Sequence, residues 1–325
     1  MATTITGTTI DVGPNKLVAN SAGNVTASGN VTASGVLSDP SGNVRAGRKN
    51  IISNGSFQIS QRGNYTSTTT AANNTYYVDR FRITAASVNV SNQHTTVSIG
   101  GVSKRAYRVT ATSAATGYFG SRHGFELLDL EVGATYTISC WMRSNKSNAR
   151  IRQDSIAGIS ADSTISHTGG GDWEKITFTV DSTNTVSNCA LQFICYPVAA
   201  VSVGDYIEIA DVQMEVGSVA TDFEHRSYGE ELALCQRYYY KVLTGVDGGY
   251  GNKGGNGSVY SFNSTGTFAV QMRTAPTTVV SGGTLDGCSA YSVNTTTDGY
   301  ISRVSPSGTG AYRAFEQNIT FSAEL

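Results

Sequence analysis

From Asn50 onward the chain is written in a two-residue period. In "GATYTISCWMRS" (Gly133–Ser144), Tyr136, Ile138 and Cys140 fall on one side and Thr135, Thr137 and Ser139 on the other. "WEKITFTV" (Trp173–Val180) repeats the pattern, with Ile176, Phe178 and Val180 set against Thr177 and Thr179. Successive side chains of a strand point to opposite faces, so such runs demand sheets with one apolar and one hydroxyl-bearing face. "YYVDRFRI", "KRAYRVTAT", "GFELLDL", "NCALQFICYPV" and "DYIEIADVQM" are further short runs, separated by Gly, Asn, Ser and Thr. About eight or nine strands with almost no room for helices predict an all-β fold, a two-sheet sandwich whose apolar faces meet.

A chain of 325 residues is long enough for two modest domains or one large β domain. Charged residues make up only 14%, while Gly and Tyr number 36 and 17, the profile of a β-rich surface or fibrous protein. The net charge is −1, and the densest basic cluster is Arg45, Arg48 and Lys49, so there is no electrostatic ground for binding nucleic acid. No apolar run reaches transmembrane length, and "MATTITGTTIDVG" lacks the basic and apolar regions of a secretory signal, so membrane insertion is not expected. Five cysteines without zinc-ligand spacing are expected to be buried free thiols in a chain made in a reducing cytoplasm.

Four regions are expected. In residues 1–49, "NVTASG" (Asn24–Gly29) repeats at once as Asn30–Gly35. One such unit buries almost nothing, so the segment is either a solvated tail or an arm that orders against sister chains. Ile5, Ile10, Val12, Leu17, Val18, Val25, Val31 and Leu37 favour an extended attachment and trimerisation arm. Residues 50–226 hold the sandwich. Over 227–241, Ser227 and Glu230 have capping-box spacing, Glu231 adds charge to the first turn, and Leu232–Leu234 favour helix. This predicts a joint of about two turns, marginal alone and held by packing. Tyr238–Tyr240 begin the next strand, and 242–325 form a small C-terminal β domain. The loop Gly245–Gly257 lacks the Lys-Ser/Thr ending of a phosphate cradle.

Catalytic patterns are missing. His94, His123, His167 and His225 are scattered, and no nucleophile elbow or zinc motif occurs. Glycan hydrolysis needs two facing carboxylates, and the sequence does not pair Asp79, Glu126, Asp129, Asp172, Glu174, Asp205, Glu208 or Asp211. No enzyme is expected. Aromatic side chains flanked by polar groups are the better lead, because a sugar ring stacks on an aromatic face. Tyr118, Phe119, Arg122 and His123 lie in the loop-like, glycine-bounded "TGYFGSRHGF". Trp141 and Trp173 are either platforms or core fillers, and Tyr250 is a candidate tip contact. Of Tyr238, Tyr239 and Tyr240, one or two are expected in the core and the remainder between subunits.

"NIISNGSFQISQRG" (Asn50–Gly63) with "YYVDRFRI" (Tyr76–Ile83), and the segment Gly204–Lys241 with "FEHR", "EEL" and "CQRY", resemble the two ends of a domain of bacteriophage tail fibres and related virion appendages. The resemblance implies a jelly-roll sandwich similar to carbohydrate-binding modules, in a homotrimeric adhesin on the virion. Its partners would be other virion proteins through the arm, and a host-surface polysaccharide or protein. A capsid decoration or tail-hub role is the alternative, and a glycan depolymerase is a third reading. Modules of this type share an Asn-Gly-x-Phe start and a final strand with an Asp, and often hold a structural calcium between them. Asn54, Gly55, Phe57 and Asp211 match, but Gln58 stands where an acidic ligand would be.

Overall fold

The computed structural model describes residues 49–325 except 127–129, 155, 157–159, 184–188, 197–199, 247–249, 254–261, 283, 307–309 and 316. The arm expected over 1–49 lies outside them apart from Lys49. Arg48–Leu325 forms one compact unit.

Its first twelve strands are β1 (Thr69–Ala71), β2 (Tyr76–Val78), β3 (Phe81–Ala86), β4 (Val90–Ile99), β5 (Val102–Ala111) and β6 (Tyr118–Gly124), then β7 (Thr135–Ser144), β8 (Ala149–Asp154), β9 (Ala161–Ser166), β10 (Glu174–Asp181), β11 (Ala190–Cys195) and β12 (Tyr206–Val216). They build two six-stranded antiparallel sheets, β1-β4-β5-β12-β7-β10 and β2-β3-β6-β11-β8-β9. From β5 to β12 the chain passes repeatedly between the two sheets, as in a jelly-roll sandwich. Tyr136, Ile138, Cys140 and Ile176 turn inward as the alternation requires and meet Phe81, Ile83, Phe119 and Phe193 of the other sheet.

The "NG" turn opens the sandwich. Asn54 has φ 59°, and its amide accepts from Ile59 N and donates to the carbonyls of Ile59 and Asp79, each at 2.9 Å. Gly55 is required by close approach: a Cβ there would sit 2.0 Å from the carbonyl oxygen of Val212. Phe57 is thereby delivered to the core against Phe81, ring centres 4.7 Å apart.

Helix α1 (Tyr228–Gln236) follows, capped by Ser227, whose Oγ accepts from Glu230 N at 3.3 Å. It is held as the sequence requires of a marginal helix: Glu231 is buried and accepts from Asn54 N at 2.5 Å, and Cys235 is fully buried. Beyond lie β13 (Tyr239–Val246), β14 (Tyr250–Lys253), β15 (Phe262–Thr267), β16 (Thr277–Ser281) and β17 (Thr284–Asp286). The last are β18 (Cys288–Thr295), β19 (Gly299–Pro306), β20 (Gly310–Phe315) and β21 (Gln317–Ser322). They form three small sheets, β13-β21-β16, β14-β20-β17 and β15-β19-β18, and the first and third share a core of Phe268, Met272, Ile319 and Phe321.

These small sheets are tied back to the sandwich by charge. Glu324 accepts from Arg80 at 2.5 Å and from Arg62 at 2.9 Å, and Tyr76 donates to the carbonyl oxygen of Leu325 at 2.6 Å. Tyr238 lies under the Arg80 guanidinium at 3.4 Å and donates to Glu126 at 2.6 Å; Tyr239 lies under Arg62 at 3.7 Å. Both rings are buried within the chain, the core places expected of one or two of the three tyrosines. Tyr240 packs on Phe268 and Phe321.

Candidate functional site

The outer face of the first sheet carries an apolar cluster of its own. Cross-strand register sets Thr95 opposite Ala106, and Trp141 between Ala210 and Lys175. Ala106 and Ala210 are fully buried and leave room for the indole of Trp141, which packs with Ile99, Val97 and Trp173. Of the expected candidates, the fold therefore brings Trp141 and Trp173 together, both half-buried, on one outward face.

Two features turn this cluster into a recess. The first is a bulge in β12 between Ala210 and Gln213, where Asp211 takes φ 48°. The extra residue swings the Asp211 carboxylate outward to Lys104, 2.5 Å away, and lets Val212 and Met214 resume the inward face. The second is the segment 217–226, which crosses the sheet. Thr221 donates to Glu215 through its N–H at 2.9 Å and its hydroxyl at 2.6 Å, and Glu224 N donates to Gln213 at 2.8 Å. Glu224 in turn accepts from Asn50 N at 2.8 Å. Anchored this way, Phe223 and His225 meet edge to face at 5.0 Å. Together with Trp141, Lys104, Lys175 and Asp211 they line a recess of about 380 Å³.

Beside the recess runs a charged row. Glu208 is fully buried on the outward side of β12, accepts from Thr95 Oγ1 at 2.5 Å and Arg143 Nε at 2.9 Å, and lies 3.9 Å from Arg108. Arg108 stacks over Tyr206 at 3.7 Å and Arg143 over Trp173 at 4.9 Å. The arginines thus hold Tyr206 and Trp173 against the sheet. Three acidic side chains on this face are engaged, Glu208 by Arg143, Asp211 by Lys104 and Glu215 by Thr221, and Asp222 also lines the recess.

Other expected site residues fall elsewhere. "TGYFGSRHGF" is not a loop but contains β6, between β3 and β11. Its alternation sends Phe119 and His123 into the core, so these two cannot touch a ligand. His123 packs edge-on to Phe81 with Nε2 3.3 Å from Ser53 Oγ, and burial, reinforced by the Arg80 charge, holds its pKa well below the ordinary histidine value. Tyr118 and Arg122 point outward on the second sheet, away from Trp141. Tyr250 opens β14, and its side chain lies outside the described set.

The residues expected to hold calcium do not fit an ion. Asn54's amide is fully used inside its turn, Gly55 O accepts from Val212 N at 2.9 Å, and Asp211 carries Lys104. The cation of this corner is Arg226. Its guanidinium donates to the carbonyls of Asn50 and, at 2.9 Å, Ile52, and lies 3.3 Å from Glu231. Among the described residues no group of three His, Cys, Asp or Glu side chains could hold a metal ion. Cys140, Cys189, Cys195 and Cys235 are buried thiols. No described helix is long and apolar enough to cross a membrane.

Sequence reasoning missed Phe223, His225, Lys104 and Lys175. Phe223 and His225 stand two apart around Glu224, as strand-like alternation would have it, but only the fold lays that segment beside Trp141.

No protein-family model and no curated protein matches the chain. Among solved structures, the chain is similar to TmCBM61 in complex with β-1,4-galactotriose, at 13% identity over 52% of this chain and 100% of that one, TM-score 0.32. It is also similar to the CBM22-1 xylan-binding domain of Paenibacillus barcinonensis Xyn10C, at 12% identity over 49% of this chain and 99% of that one, TM-score 0.31. The enzymatically active domain of bacteriophage CBA120 tailspike protein 4 is similar at 14% identity over 51% of this chain and 21% of that one, TM-score 0.31. Likeness this distant carries no function from one chain to the other.

Proposed function

We propose that the chain is a glycan-binding adhesin of a bacteriophage virion, and that the recess around Trp141 receives a host-surface sugar. The observation that carries this reading is the arrangement itself. A tryptophan supported from below by two alanines is walled by Phe223 and His225 and ringed by Lys104, Asp211 and Lys175. A pyranose ring lies against the indole, while the ammonium groups, the carboxylate and the imidazole meet its hydroxyls. Around the rim Lys104 and Lys175 stand against Asp211 and Asp222, so the charges balance, which suits a neutral ligand.

The reading extends to the rest of the chain. Residues 50–226 are the binding module, 227–241 the joint and 242–325 a distal β region. The repeats in 1–49 join three copies to each other and to other virion proteins. Three modest sites displayed together gain avidity without strong single contacts. No catalytic step is assigned, because Glu208, Asp211 and Glu215 are committed to partners.

The test is calorimetric titration of the full chain with neutral gluco-, galacto-, xylo- and manno-oligosaccharides, repeated with Trp141→Ala. Binding that weakens at least about tenfold in the variant, ~1.4 kcal/mol, supports the reading. Binding of equal strength in both places the sugar elsewhere.

A further inference from the structure

The outer face of the second sheet is built on a different principle. Cross-strand register lays Tyr76, Arg82, Arg122, Gln192, Arg152 and Asp162 in one row across all six strands. Arg82 stands directly opposite Arg122, a like-charge pair that costs stability in an antiparallel ladder. Arg122 reaches Asp154 at 3.5 Å, but the Arg82 guanidinium has no hydrogen bond or ion pair among the described residues. Arg150 and Arg152 share Asp162, at 3.4 and 3.1 Å. The face thus carries four guanidiniums against Asp154 and Asp162, on a chain whose net charge is −1.

Beside the arginines lies an aromatic shelf. Tyr118 and Tyr196 stack with ring centres 6.0 Å apart and planes 10° from parallel, and Tyr196 is 37% exposed. Arg150 and Arg152 sit 6.0 and 5.8 Å from the Tyr196 ring centre. Tyr118 and Arg122 are separated by ~13 Å along β6 at the usual strand rise. A ligand that touches both is therefore a polymer rather than a single sugar.

An aromatic shelf takes the apolar face of a pyranose ring, and an unpaired guanidinium offers a fork that fits a carboxylate. We infer that this face is a second binding site, for an acidic polysaccharide whose rings lie on Tyr118 and Tyr196 and whose carboxylates are held by Arg82 and Arg122. Its ligand differs in charge from that of the Trp141 recess, and the two sites stand or fall separately.

Sodium polygalacturonate is the probe, with dextran as the neutral control and inorganic polyphosphate as an anion without sugar rings. Affinity electrophoresis of the full chain is expected to show retardation by polygalacturonate that weakens tenfold or more in Arg82→Gln and in Tyr196→Ala. It is expected to persist in Trp141→Ala. Because Arg82→Gln removes a like-charge contact, its Tm should equal or exceed that of the parent, so lost binding there is not lost folding. The assignment is overturned if polygalacturonate does not bind, if polyphosphate binds as well, if dextran binds as well to Trp141→Ala, in which the first recess is disabled, or if Arg82→Gln or Tyr196→Ala binds like the parent. A fall in Tm for Arg82→Gln overturns it too, by showing Arg82 to be structural. Loss of acidic-glycan binding in Trp141→Ala moves that ligand to the first sheet and overturns this site alone.

Discussion

Replacing Glu324 with alanine should loosen the hold of the small sheets on the sandwich. The Glu324 carboxylate is 7% exposed and faces two guanidiniums, Arg80 at 1% and Arg62 at 10% exposure. Removing one partner of a buried ion pair leaves an uncompensated charge and costs about 3–5 kcal/mol. Arg80 would keep Ser53 Oγ at 3.2 Å, the Gly124 carbonyl at 2.8 Å and the face of Tyr238, which places the loss near the lower end, ~3 kcal/mol. At about 2–4 °C per kcal/mol for a unit of this size, Tm should fall by about 6–12 °C. Differential scanning calorimetry at neutral pH reads the shift. The double variant Arg80→Met with Glu324→Leu should recover much of it, since an apolar pair has no charge to strand. A single-variant shift below about 2 °C would refute the reasoning, as it would mean that water reaches Arg80 at little cost.

Acid should destabilise the fold through its buried histidines. Burial, with Arg80 beside His123 and Arg105 beside His94, lowers both pKa values from the usual 6.5. The unfolded chain therefore takes up these protons first, and stability that is complete above pH 6.5 is lost as pH falls below it, by at most about 1.4 kcal/mol per unit for each histidine. Burial raises Asp79 and Glu231, which act with the opposite sign, so the histidine contribution is read as the difference between the parent and His123→Gln over the same pH range. Thermal melts across it should show a shallower slope for His123→Gln than for the parent; equal slopes would discount the histidine. Gly55→Ala would push a methyl group against the Val212 carbonyl, which a flexible side chain cannot relieve. The urea midpoint should drop by an amount equivalent to at least about 2 kcal/mol, and an unchanged midpoint would show that β12 can shift.

Strand and helix type were legible where sequence pattern and environment agree. The alternations of β7 and β10, the Asn-Gly turn and the Ser227 cap all follow from local chemistry, and each is seen. β4, "VSNQHTTVSI", and β6, "YFGSRHG", were not legible as strands, for a physical reason. Asn92, His94 and His123 are polar residues buried in these strands, which disguises the apolar side, and Gly120 removes a side chain from the other. The site was half legible. Trp141 and Trp173 could be named, but their shared face depends on β7 lying between β12 and β10, a non-local pairing that no window of sequence contains. In "YYYK" the core places of Tyr238 and Tyr239 were legible, but not the arginines that cover them, because Arg80 and Arg62 lie far from them in sequence.

The chain's two tryptophans both lie on the face assigned to the neutral glycan, so their fluorescence reports on it directly. Titrating the full chain with the neutral oligosaccharide that binds most tightly by calorimetry should shift or quench the emission. The change should be half-complete at the calorimetric Kd and survive in Trp173→Phe but not in Trp141→Phe. Calorimetric binding with no change in emission would put the sugar on another surface and contradict the account.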